Sequence, residues 1–327
     1  MHCPTARTLD IVSALLCLIG LALLLVLLLA PLESLRWWAG WTKEQAPEAP
    51  LAAPAATISP APLYVVYLSG VAAIDPNQMH QKESSFLDLV ADKIAPAVLV
   101  RDVFPYSVTN NPLTGERPLA RLWQRVNQGS NKRSKSLADW ASLGLVILRN
   151  LSQILVSADP RYGPPTSFGV AKEIVEALLR QGYYLDSGAP VMLLGYSGGG
   201  QISVGCAPYL KQILNASVYV IGIGGVFSDD PGILAVEHLY QLAGSKDYTR
   251  SVGDLLFPGH WFLFPRSDWH QAKRAGKMTT VDMGPMKHTL KGDYFSRSSK
   301  LADGTSHAEK TAVTIGELAA QHMPIKK

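Results

Sequence analysis

The apolar residues of this chain fall into an unbroken run, several short dense blocks, and stripes at helical spacing. The unbroken run is Ile11 to Ala30, IVSALLCLIGLALLLVLLLA, twenty residues without a charge. As a helix at about 1.5 Å per residue it spans roughly 30 Å, the thickness of one hydrocarbon core. The first dense block, Leu63-Tyr-Val-Val-Tyr-Leu68, has no polar alternation and predicts a strand buried on both faces. Ala97–Val100 running on through Asp102-Val-Phe104, then Val191–Leu194, Ser217–Ile223, Leu239–Leu242 and the weaker Lys277–Met283 continue the series. Helical patterns lie between them, at Ser84–Ile94, at Leu137–Ser157 and at Val170, Ile174, Val175, Leu178 and Leu179, with Gly182 placed to cap the last. Gly198–Leu214 predicts another helix, which Pro208 is expected to kink or restart. A final helix starts at Ser306, where Ser306-x-x-Glu309 has the form of a capping box. Strands alternating with helices predict the α/β class, a mainly parallel sheet with helices on both faces.

The unbroken run allows two readings, a cleaved secretory signal or a retained anchor. A signal has a shorter apolar region, about 7–15 residues, and a small-x-small cleavage site. Leu29-Ala30-Pro31 is a poor site, and Leu16 before Cys17 does not suit a lipoprotein anchor. Trp37, Trp38 and Trp41 follow as an interfacial aromatic belt would. The expected organisation is therefore a flank (1–10), a transmembrane anchor (11–30), an interfacial Trp segment and linker (31–62), and one domain (63–327). Within the linker, Gln45 to Pro62 holds five prolines among alanines. Such a spacer reaches up to roughly 55 Å when extended. Charges on the two flanks of the run nearly balance, and the short N-terminus favours an extracytoplasmic domain. Arg149 and Asn150, central in Leu137–Ser157, argue against a second span.

Composition narrows the function classes. Of the 327 residues 47% are hydrophobic and 17% charged, which excludes a disordered chain. A net charge of +4 without concentrated basic stripes gives no ground for a nucleic-acid partner. Cys3, Cys17 and Cys206 make no disulfide framework, and no cysteine–histidine cluster has zinc spacing, so no metal is expected. The insertion 108–137 is basic, with Arg117, Arg121, Arg125, Lys132, Arg133 and Lys135. It suits a lid, a patch for anionic lipid headgroups, or a solvated surface loop.

Chemistry concentrates at Gly195-Tyr196-Ser197-Gly198-Gly199, a G-x-S-x-G sequence joining a predicted buried strand to a predicted helix. That context is what a nucleophile elbow requires, and the Gly198 N–H is placed to meet a developing oxyanion. A tight glycine turn with an incidental serine is the bland reading. Here the chain resembles the α/β-hydrolase superfamily from about Leu63 to the C-terminus, and it looks most similar to membrane-anchored bacterial members. The resemblance implies the order nucleophile, acid, histidine. Asp247, after Leu239-Tyr-Gln-Leu-Ala-Gly-Ser-Lys, resembles the family's acid, with Asp229 and Asp230 as rivals. His288, after Met283-Gly-Pro-Met-Lys, fits the histidine, and Gly292-Asp-Tyr-Phe295 resembles a downstream family segment. His260 and His270 compete, because Trp261–Phe264 has the character of a strand; His307 and His322 read as structural. A second oxyanion donor after the first strand falls by analogy on Val71 of Ser69-Gly-Val, where many members have His-Gly.

Two lesser motifs carry little. Gly222-Ile-Gly-Gly225 has Phe227 where a dinucleotide loop needs its third glycine, and the sequon Asn150-Leu-Ser152 lies within a predicted helix. What the resemblance implies is a membrane-anchored serine hydrolase of carboxylesterase, lipase or thioesterase type. It would act on an acyl ester or lipid-like small molecule through Ser197, His288 and Asp247, without metal or organic cofactor. The alternatives are a non-catalytic membrane-tethered scaffold of the same fold and an acyltransferase using the same triad.

Overall fold

The computed structural model describes residues 29–40, 61–114 and 136–324, with isolated positions between 13 and 21 and between 121 and 124. Most of the run 11–30, most of the linker and most of the insertion 108–137 lie outside the described residues. Among the described residues no helix is long and apolar enough to cross a membrane.

In chain order the elements are α1 (Leu32–Trp38), β1 (Tyr64–Leu68), α2 (Gln81–Ile94), β2 (Val98–Val100), α3 (Leu137–Ala158), α4 (Gly163–Arg180), β3 (Val191–Tyr196), α5 (Gly199–Leu214), β4 (Val218–Ile223), α6 (Gly232–Ala235), β5 (His238–Ala243), α7 (Thr249–Leu256), α8 (Asp268–Arg274), β6 (Met278–Asp282) and α9 (His307–His322). The six strands form one parallel sheet in the order β2-β1-β3-β4-β5-β6. The class expected from alternating strands and helices is thus the class observed. The chain leaves β1 towards β2, then returns past it to β3. The carboxyl ends of β1 and β3 therefore border a switch point, where a crevice opens.

Alternation along β1 shows why the strand is apolar throughout. Tyr64, Val66 and Leu68 enter a core shared with α3, α4 and α5, while Val65 and Tyr67 enter a second core with α2 and α9. A strand facing two apolar layers has no polar side to display.

Local details adjust the expectations. α5 runs on through Pro208 without restarting. The proline leaves the Val204 carbonyl without its helical donor, and Gly232 packs directly against that oxygen. Ser306 accepts the Glu309 N–H at 3.1 Å, but the Glu309 carboxylate pairs with Lys93 at 2.7 Å. A reciprocal capping box forms instead at α3, where Ser136 and Asp139 each accept the other's backbone N–H. Trp261–Phe264 is turn rather than strand.

The largest departure concerns the Trp segment. It packs on the domain rather than standing off from it. Gln153 donates to the Ala30 carbonyl at 3.0 Å, Arg149 pairs with Glu33 at 2.7 Å, and Ser34 is buried. Trp37 and Trp38 each place their ring centroid 6.2 Å from that of Phe168. Residues 30–38 thus belong to the globular unit, and the linker does not separate the end of the apolar run from it.

Candidate active site

The turn between β3 and α5 is built by exclusion of side chains. A Cβ on Gly195 would lie 2.6 Å from the backbone of Gly199, one on Gly199 would strike the Leu68 carbonyl, and one on Gly198 would strike Ile154. Between them Ser197 takes φ +53°, a left-handed conformation that costs a non-glycine residue about 1–3 kcal/mol. Hydrogen bonds hold it there. Its N–H donates to Ile223 at 3.1 Å, and its carbonyl accepts from Gly200 at 3.0 Å and Val226 at 3.1 Å. The serine is lifted to the carboxyl edge of the sheet, at the mouth of the switch-point crevice.

The loops after β5 and β6 bring the acid and the histidine to it. The Gly244 carbonyl accepts the Asp247 N–H at 3.0 Å, which closes the turn after β5. The Asp247 carboxylate accepts from Thr249 N–H at 2.9 Å and from the Tyr294 hydroxyl at 2.7 Å, and lies 3.0 Å from His288 Nδ1. His288 Nε2 lies 2.8 Å from Ser197 Oγ. Burial pushes the Asp247 carboxyl up, but the bonds from His288, Thr249 and Tyr294 outweigh it and bring it to about 2. An ionised carboxylate only accepts, so Nδ1 carries the imidazole proton and Nε2 accepts from the serine hydroxyl. Tyr196 supports the histidine, its ring stacked on the imidazole and its hydroxyl donating to the His288 carbonyl at 2.7 Å. Gly224, at φ +52°, leaves room for the pair, since its Cβ would lie 2.5 Å from Asp247 Oδ2.

The two expected oxyanion donors are neighbours. A Cβ on Gly198 would sit 3.1 Å from Val71 Cγ1, and one on Gly70 would sit 3.4 Å from Ser197 Cβ. Among the described residues no backbone carbonyl takes up the N–H of Val71 or Gly198. Beside them opens a cavity of about 320 Å³ lined by Ser197, His288, the 69–74 turn, and Leu143 and Ile147 of α3. Its wall is mostly apolar by area, with Asp75, Gln78, His80 and Glu83 as polar exceptions. Burial pushes the Glu83 carboxyl up, against the opposing hydrogen bond that Tyr67 donates at 2.7 Å. Among the described residues no cluster of histidine, cysteine and carboxylate side chains could hold a metal ion.

The rivals serve elsewhere. Asp229 accepts the Trp269 N–H at 2.8 Å, and Asp230 accepts from Gly232 N–H and Gln201. His260 stacks on Trp269 and contacts Asp254; His270 contacts the Trp261 carbonyl. His307 and His322 bond to the Gly292 carbonyl and the Tyr240 hydroxyl. Three supporting residues were not expected: Tyr294, Tyr196 and Asn150, whose amide donates to the Val71 and Ala73 carbonyls at 2.8 Å each. The signal for Asn150 was present, a polar residue inside an apolar helix; its burial also removes it as a glycan acceptor in the folded protein. No protein-family model matches the chain, and a comparison with curated proteins gives no match.

Proposed function

We propose that this chain is a serine hydrolase of the α/β-hydrolase type, held at a membrane by the run 11–30 and cleaving an acyl ester. The observation that carries the reading is the continuous relay from Asp247 through His288 to a serine in a strained left-handed turn. His288 Nε2 takes the hydroxyl proton as Ser197 Oγ attacks the acyl carbonyl. The N–H groups of Val71 and Gly198 stabilise the tetrahedral oxyanion, and Asp247 stabilises the imidazolium. Collapse breaks the ester C–O bond, and His288 returns the proton to the leaving alkoxide. Water, deprotonated by His288, then attacks the acyl-enzyme and releases the acid, restoring Ser197. An apolar cavity beside the serine suits the acyl chain.

The test is fluorophosphonate labelling of the full chain. Ser197 is expected to be the modified residue, and the rate is expected to fall at least roughly a thousandfold in His288→Ala. A folded chain that takes up no label would replace the hydrolase with a ligand-binding scaffold.

A further inference from the structure

One wall of the cavity beside Ser197 carries a charge that the fold does not balance. Glu83, in the first turn of α2, lines the same cavity as Ser197 and His288. The hydroxyl of Tyr67 donates to its Oε1, the one hydrogen bond its carboxyl makes among the described residues. No lysine, arginine or histidine among the described residues pairs with it, and Lys82 beside it in sequence pairs with Asp293. Two other polar groups of that wall are taken up. Asp75 accepts the Asn77 N–H at 2.9 Å and the Thr114 hydroxyl at 2.6 Å, and His80 Nδ1 accepts the Lys82 N–H at 3.2 Å. Burial pushes the Glu83 carboxyl up and only the Tyr67 bond opposes it, so no neighbouring cation shares the cost. A glutamine would accept the Tyr67 hydroxyl equally well with no charge to bury. Folding therefore does not explain the carboxylate, and groups held at a cost to stability gather where a protein binds or reacts.

We propose that Glu83 is the specificity-determining residue of this cavity, and that the acyl group cleaved at Ser197 carries a protonated amine whose charge it meets. The inference rests on the hydrolase reading and names the substrate class within it. An ammonium group supplies what the site lacks, a positive charge and N–H donors for the carboxylate positions that Tyr67 leaves open. The ester carbonyl sits against the N–H groups of Val71 and Gly198, and the apolar wall of Leu143 and Ile147 takes the methylene groups between carbonyl and amine. A cavity of about 320 Å³ is at the small end of ligand pockets, about 300–1,000 Å³, so that chain is short. The amine takes no part in bond making. Its contact with Glu83 fixes where the carbonyl meets Ser197. An apolar chain of the same length leaves the carboxylate buried and unpaired, and is penalised for it.

The full chain in neutral detergent micelles is assayed at about pH 7.5, where aliphatic amines are protonated. The substrates are two pairs of aryl esters that differ only by an ammonium in place of a terminal methyl: 3-aminopropanoate against butanoate, and 6-aminohexanoate against heptanoate. The wild type is expected to favour the amino ester of at least one pair by about tenfold or more in kcat/KM, and Glu83→Gln to abolish that preference. Equal rates within both pairs, or preference for the neutral ester in both, overturn the proposal. A preference that survives in Glu83→Gln moves the contact to another group, Asp75 first, and overturns it as well. Binding is read apart from turnover. n-Butylammonium is expected to raise the melting temperature of the wild type more than that of Glu83→Gln, and 1-butanol to raise neither. Equal shifts in the two proteins overturn the cation site. Fluorophosphonate labelling separates this inference from the reading beneath it. No label at Ser197 defeats the hydrolase whatever the amine does. Label without amine preference leaves the hydrolase standing and removes Glu83 from its specificity.

Discussion

Asp247 works through the state it keeps. Its folded-state pKa of about 2 lies below the ordinary carboxylate value, so it stays ionised through the mildly acidic and neutral range. The same shift contributes stability on the order of 2 kcal/mol. The contribution is fully present above the unfolded value, about 3.9, and is lost as pH falls through about 2. Asp247→Asn is expected to lower kcat/KM by roughly 10⁴, because the imidazole loses its orienting acceptor. In acid titrations followed by circular dichroism, the wild type is expected to lose more stability between pH 4 and 2 than the variant; parallel curves would detach the carboxylate from stability. Glu83 has the opposite sign. Burial raises its pKa, so the native state binds more protons than the unfolded one, and stability falls as pH rises through and above the ordinary glutamate range. Glu83→Gln keeps an acceptor for Tyr67 and removes the buried charge. Its melting temperature is expected to exceed that of the wild type at pH 8 and to approach it at pH 4.

Through the Asn150 side chain α3 is hydrogen-bonded to the 69–74 turn beside Ser197. Asn150 holds the Val71 and Ala73 carbonyls, which follow the Val71 N–H in the turn, and so braces the segment that carries it. Asn150→Leu fills similar space but leaves those carbonyls unpaired, at a cost of about 1–3 kcal/mol for each such group. A lower urea midpoint is expected, together with a fall of about tenfold in kcat at nearly unchanged KM, since an oxyanion donor acts mainly in the transition state. A change confined to KM would remove Asn150 from the positioning of the turn. This helix also marks where sequence is legible and where it is not. The inner strands β1, β3, β4 and β5 were readable because each is an apolar block buried within the sheet, whereas the edge strand β6 is largely exposed and gave the weaker pattern. The elbow was readable because tight geometry demands small residues at fixed spacing around Ser197. The roles of Tyr294 and Asn150 were not: an asparagine inside an apolar helix marks itself as unusual, but neither residue's neighbours in sequence say what it bonds. Their partners lie 47 and 79 positions away along the chain. The packing of α1 was hidden likewise, since its tryptophans suit a membrane interface and a helix surface equally well.

At the scale of the whole molecule, the question is whether the segment 30–38 is a tether or a component. Glu33 approaches Arg149 where both side chains are largely shielded from water, at 29% and 17% exposure. Two indole rings meet Phe168, and Lys172 lies over the ring of Trp37 at 5.5 Å. Aromatic contacts of this kind contribute roughly 0.5–1.5 kcal/mol each beyond buried area, and an ion pair still partly open to water contributes less than about 1 kcal/mol. A chain beginning at residue 29 is therefore expected to be more stable than one beginning at residue 61, by about 1–4 kcal/mol on these figures. Urea unfolding followed by tryptophan fluorescence and by circular dichroism checks this. Coincident transitions at a higher midpoint for the longer chain would show that α1 unfolds with the domain. Equal midpoints, or an early fluorescence phase, would make it a tether that peels off separately. A tether would let the domain turn freely beneath the apolar run, whereas a docked α1 fixes the orientation of α3, and with it the mouth of the cavity, relative to the point where the run departs.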